Sequence, residues 1–79
     1  MQIYIKLLAN YRSNLPDGAN GDQISIVVPE GISSEKILEM FSLPPIPESV
    51  VLINGRTIIP GEPINEGDVI CAFSAMAGG

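Results

Sequence analysis

Only one stretch of this chain, GISSEKILEMFSLPP at residues 31–45, has the spacing of a helix, and it is too short to stand alone. Ser33 is placed to cap its start, and Glu35 falls in the first turn, where a carboxylate meets the positive end of the helix dipole. With Ser33 as the cap, Ile32 and Ile37 occupy the two positions of a hydrophobic staple. Ile37, Leu38 and Phe41 form the apolar stripe, and Pro44 and Pro45 are expected to stop the helix. Proline offers no N–H, and the residue before it avoids helical angles. A helix of about ten residues is marginal in water, so its stripe must be buried on a larger element.

The remaining apolar segments alternate, so that larger element is a sheet. In QIYIKLLA at residues 2–9, Ile3, Ile5, Leu7 and Ala9 share one face. QISIVV at 23–28 repeats the pattern after NLPDGANGD, a stretch dense in turn-forming residues. SVVLINGRTIIP at 49–60 is two short apolar runs about Asn54-Gly55, a strong hairpin signal because a type I′ turn needs positive φ at both central positions. EPINEGD is a second turn region, and VICAFSA at 69–75 is a last strand. The first and last strands are apolar enough to lie side by side in the centre. The order strand, strand, helix, strand, strand, strand predicts an α+β fold of two layers. It is the β-grasp arrangement, a mixed sheet of four to five strands with one helix packed on one face. Ile3, Ile5, Leu7, Ile24, Ile26, Ile37, Phe41 and Ile70 are expected on the covered side. The domain is expected to span residues 1–74, with 75–79 a flexible tail.

Composition removes most chemistries. A chain of 79 residues makes one domain, and its net charge is −5. Lys6, Arg12, Lys36 and Arg56 are scattered, whereas nucleic-acid affinity needs clustered cations, so no nucleic-acid partner is expected. There is no histidine, and one cysteine, Cys71, cannot make an internal disulfide, a zinc site or an iron–sulfur centre. Cys71 lies between apolar neighbours and reads as a packing residue rather than a redox centre. The serines have no identifiable base, and no glycine-rich loop has phosphate-binding spacing. No catalytic residue and no metal ligand is expected. No segment resembles a signal peptide or reaches membrane-spanning length, so a soluble, cytoplasmic protein without a membrane partner is expected.

This leaves the end of the chain, AMAGG. Gly78 and Gly79 are either a frayed terminus or a working part. Without Cβ atoms, two glycines can thread a narrow channel and let backbone groups approach closely. They end in a carboxylate on an unhindered carbon. An enzyme that activates carboxylates could admit such a tail, making it a substrate rather than a catalyst.

PINEGDVICAFSAMAGG resembles the C-terminal signature of the MoaD/ThiS sulfur carriers, which have the ubiquitin-like β-grasp fold, and most closely the small subunit of molybdopterin synthase. The family's Pro-hydrophobic-x-acidic-Gly-Asp turn, aromatic last strand and Gly-Gly end fall on Pro63, Ile64, Glu66, Gly67, Asp68, Phe73, Gly78 and Gly79. KLLANYRSNL resembles the family's first strand running into Ala and Arg, placing Ala9 and Arg12, and VLINGR is a common family hairpin. Ser74-Ala75 stands where the molybdopterin carriers usually have Pro-Pro, and Ala72 where a second aromatic is often found. These departures leave the Gly-Gly chemistry untouched and leave open which enzyme reads the tail.

The resemblance implies that a ubiquitin-activating-type adenylyltransferase adenylates the Gly79 carboxylate, and that a persulfide sulfur then displaces AMP to leave a thiocarboxylate. ATP and magnesium belong to that enzyme, and no cofactor is expected on this chain. The chain itself is expected to be a carrier, not an enzyme. Met76, Ala77 and Gly78 would thread the partner's channel. The sulfur would pass to a synthase subunit: the molybdopterin synthase large subunit or, in a ThiS-type carrier for thiamine, a thiazole synthase. A protein modifier joined to lysines through Gly79 would look nearly identical. Phe73 is either a core aromatic or a docking contact on the open face, and the family geometry implies the second. Arg12 is either a solvated charge or part of that interface. Glu66 and Asp68 are most simply turn residues.

Overall fold

The computed structural model describes residues 1–59 and 61–76. The alternating segments form β1 over Gln2–Leu7, β2 over Gln23–Val27, β3 over Ser49–Ile53, β4 over Arg56–Thr57 and β5 over Val69–Ser74. They make one mixed sheet in the order β2-β1-β5-β3-β4. β1 and β5 are its central parallel pair, with Ile5 opposite Ile70 and Leu7 opposite Ala72. All other pairings are antiparallel. The one α-helix among the described residues, α1, covers Ser34–Met40.

One face of the sheet is dry. Ile3, Ile5, Leu7, Val51, Ile53, Ile70 and Ala72 are buried together with Ile37, Leu38 and Phe41 from the helix region. Each large aliphatic side chain removed from water contributes about 1.5–3 kcal/mol. Ile24 and Ile26 belong to this cluster only as partly buried residues, because β2 is an edge strand with no outer neighbour.

The helix begins as its residues predict. The Ser33 hydroxyl accepts a hydrogen bond from the Lys36 N–H at 3.2 Å, satisfying a donor that has no partner within the helix. It ends earlier than the prolines require. Ser42 takes φ 58°, Leu43 N–H donates to Leu38 O at 2.9 Å and Ser42 N–H to Glu39 O at 3.0 Å. That pair of bonds is a Schellman motif with serine in the usual glycine position. Asn14 Nδ2 also donates to Phe41 O at 2.7 Å, so the loop after β1 closes the helix end.

The first strand is shorter than its alternation suggests. β1 stops at Leu7, and Ala9, with φ 53°, opens a 3-10 helix over Ala9–Asn14. That turn swings Tyr11 into the core, where it is 7 % exposed. The Asn54-Gly55 turn has the expected positive angles, φ 50° and 88°, but β4 beyond it is only two residues long. No helix among the described residues is long and apolar enough to cross a membrane.

Candidate functional site

Strand β5 organises the candidate site. Alternation along it turns Ile70 and Ala72 into the core and leaves Val69, Cys71 and Phe73 half-buried on the face away from the helix. Phe73 is therefore not a core aromatic. The register places Val50 beside Phe73, Leu52 and Lys6 beside Cys71, and Tyr4 beside Val69. All of these side chains are half-buried, so the open face carries an apolar strip with a single cation in it.

The end of β5 is firmly held. Ser74 lies opposite Ser49, and the pairing continues one residue further through Ala75 N–H to Glu48 O at 2.9 Å. Met76 N–H turns back to the Ser74 hydroxyl at 3.2 Å, while the Met76 side chain is 73 % exposed. Ala77, Gly78 and Gly79, the remaining tail positions named from the sequence, lie outside the described residues.

A buried polar link stands behind this exit. Ser49, 1 % exposed, donates its hydroxyl hydrogen to Pro44 O at 2.6 Å. Having one hydrogen, it can only accept from the Tyr11 hydroxyl at 2.7 Å. The link ties the 3-10 helix and the Pro44 loop to β3 where β3 meets Ser74. Neither Tyr11 nor Ser49 stands out in the sequence, because Tyr11 sits among polar neighbours and Ser49 is one polar residue at the start of an apolar run.

Arg12 lies in the same 3-10 helix and is exposed. Leu8 N–H donates to Ala72 O at 3.1 Å, and β1 and β5 are parallel, so Arg12 and the exit of β5 share one end of the sheet. The structure thus gathers Phe73, Met76 and Arg12 about that end. Glu66 and Asp68 serve the turn before β5. Glu66 accepts from Gln2 N–H at 3.0 Å, and Asp68 accepts from Asn65 N–H at 2.8 Å and Asn54 Nδ2 at 2.9 Å.

The site carries no activated group among the described residues. Burial pushes the Cys71 thiol upward, against a weaker pull down from Lys6 and with a further push from Asp22. A thiol held protonated is a poor nucleophile. No group of three or more metal-ligating side chains is present among the described residues. What the arrangement offers is a half-exposed apolar strip beside a strand end that carries the chain out of the sheet.

No protein-family model matches the chain, and no curated protein matches it. Solved structures do. SAMP1 from Haloferax volcanii superposes with a TM-score of 0.72 at 18 % identity over 100 % of both chains. A Pyrococcus furiosus protein designated molybdopterin converting factor subunit 1 gives 0.69 at 19 % identity, over 95 % of this chain and 98 % of that one. A second structure, of H. volcanii small archaeal modifier protein 1, gives 0.70 at 17 % identity over the same shares. Identity this low speaks for architecture, and with the mixed sheet and its one covering helix it establishes the chain as a ubiquitin-like β-grasp domain.

Proposed function

We propose that this chain is a sulfur carrier of the MoaD/ThiS type, acting through the carboxylate of Gly79. The observation that carries the reading is the route of the last strand. β5 runs through the centre of the sheet, shows Phe73 on the open face and is followed by an exposed Met76, three residues before Gly79. The first strand running into Ala9 and Arg12, a start that the thiamine carriers tend to lack, and the likeness to a protein designated molybdopterin converting factor subunit 1 favour the molybdopterin branch over the thiamine branch.

The chemistry follows from the poor electrophilicity of a carboxylate. An adenylyltransferase partner supplies ATP and magnesium. A Gly79 oxygen attacks the α-phosphorus, and pyrophosphate leaves. The terminal sulfur of a partner's persulfide then attacks the acyl carbon and expels AMP. A thiol cleaves the resulting acyl disulfide, leaving a thiocarboxylate on Gly79 and a disulfide on the partner side. This chain contributes the reacting end and the docking strip, with Phe73 and Arg12 as contacts, and no catalytic group. A synthase subunit that excludes water then takes the sulfur.

The test is intact mass spectrometry after incubation with the activating enzyme, ATP and a sulfur donor. Wild type should exchange one oxygen for sulfur. Gly79→Val, deletion of Gly79 and a C-terminal extension should each fail while keeping the fold. A shift of about 3.8 Å along the backbone misplaces the reacting carbon, and errors of about 1 Å can cost about a hundredfold in rate. Sulfur found on Cys71 instead, or on the variants as readily as on wild type, would overturn the reading. A second reading, conjugation of Gly79 to partner lysines, draws on the likeness to a small archaeal modifier protein. It predicts isopeptide-linked bands on a denaturing gel, absent with the same Gly79 variants.

A further inference from the structure

The chain contains two Asn-Gly steps, Asn20-Gly21 and Asn54-Gly55, in two different settings. In such a step the glycine backbone nitrogen attacks the side-chain carbonyl carbon of the asparagine. Ammonia leaves and a cyclic succinimide forms. Water then opens the ring at either carbonyl, giving aspartate or isoaspartate. Glycine obstructs the attack least because it has no Cβ. Water is the only co-reactant.

Both asparagines are exposed, so access of water does not separate them. Hydrogen bonding does. Asn54 Oδ1 accepts from Val69 N–H at 3.0 Å, and its Nδ2 donates to Asp68 Oδ1 at 2.9 Å. Both ends of that amide are pinned toward β5 and the turn before it, and both bonds must break before the amide can rotate to meet Gly55 N. The side-chain amide of Asn20 has no hydrogen-bond partner among the described residues, in contrast to those of Asn14 and Asn54. Only its backbone is engaged, by exchange with Gln23 at 2.7 and 3.3 Å across Gly21 and Asp22.

We propose that Asn20 is a site of spontaneous deamidation in the folded protein, and that Asn54, the same dipeptide, is protected by its clamp to Asp68 and Val69. The product at position 20 is a carboxylate placed in a loop that already holds Asp17 and Asp22. The isoaspartate form also lengthens the backbone inside the Asn20–Gln23 turn. It thereby disrupts the pairing that closes the loop end of the edge strand β2. An edge strand that loses such protection is a pairing hazard.

The test is incubation of the full chain in warm, mildly alkaline buffer, followed by peptide mapping for the mass gain of acid over amide at each step. Asp17-Gly18 passes through the same cyclic intermediate with no net mass change, and fragmentation of the peptide assigns the gain to Asn20 rather than to Asn14 or Gln23 on the same stretch. Two ordinary hydrogen bonds to be broken first should hold Asn54 about tenfold or more slower than Asn20. In concentrated denaturant the two rates should converge. Asp68→Ala, checked for folding by circular dichroism, should speed Asn54 and leave Asn20 unchanged. Equal rates in the folded chain, a faster Asn54, or no conversion at Asn20 would each overturn the proposal. A rate difference that persists in denaturant would do so too, because it would then belong to the local sequence and not to the fold.

Discussion

Replacing Ser49 by alanine should cost far more than the size of the side chain suggests. The Ser49 hydroxyl holds two partners at once, accepting from Tyr11 and donating to Pro44 O at 2.6 Å. Ser49→Ala strands both, and Tyr11, only 7 % exposed, has little access to water. Each buried polar group left unpaired costs about 1–3 kcal/mol, so the loss should be about 2–6 kcal/mol. Tyr11→Phe removes the other end of the same link but leaves the Ser49–Pro44 bond in place. It should cost about 0.5–1.5 kcal/mol, the net worth of one hydrogen bond. In a domain of this size about 1 kcal/mol moves the melting temperature by about 4–8 °C, so the two variants are separable by thermal denaturation. The double variant should melt above Ser49→Ala, since the orphaned Tyr11 hydroxyl is then gone and only the Pro44 carbonyl is unpaired. A Ser49→Ala variant that melts no lower than Tyr11→Phe would refute the directional chain from Tyr11 through Ser49 to Pro44.

Other substitutions probe the two faces and the rim. Ile5→Ala, at a position 1 % exposed, should lower stability by about 2–5 kcal/mol in chemical denaturation; an unchanged midpoint would mean that the covered face is wrongly assigned. Phe73→Asp should leave the circular dichroism spectrum intact and weaken calorimetric binding to the cognate partner, whereas unfolding would make Phe73 a core residue. Hydrogen bonds from Arg56 and from Ile59 N–H, together with the Arg56 charge, hold the Glu62 carboxyl down to about 2, against 4.5 for the free group. Its stabilisation is therefore fully present above pH 4.5 and lost as the pH falls toward 2. Glu62→Gln should flatten that part of a urea-midpoint series, and an unaltered series would remove the pair from the acid response.

Much of the architecture was legible because its causes are local. The Ser33 cap, the Asn54-Gly55 turn and the facing of Ile70 against Phe73 each depend on a few neighbouring residues, and all appear where the patterns put them. The central pairing of β1 with β5 was legible from their apolar content. What stayed hidden depends on distant partners. Ala9 and Ser42 take positive φ, which neither residue type signals, and in both cases tertiary contacts support the turn. Tyr11 is buried only because the 3-10 helix turns it toward Ser49, thirty-eight positions along the chain. In the candidate site, the family resemblance put Phe73 on the open face and the alternation along β5 agrees, while the gathering of Arg12 beside the end of β5 needed the parallel register.

The position of β5 also has a consequence for how the chain is made. It is the last strand in sequence and the middle strand in space, flanked by β1 on one side and β3 on the other. Until Val69–Ser74 has left the ribosome, the nascent chain holds two separate hairpins with no strand to join them. Isolated hairpins are marginal in water, and three or more strands are needed for independent stability. Folding must therefore wait for Val69–Ser74, and it requires closing the long loop between β1 and β5. A chain cut short before Val69 would expose the inner edges of β1 and β3, so incomplete copies would be marked by unpaired strands and not by a missing tail alone.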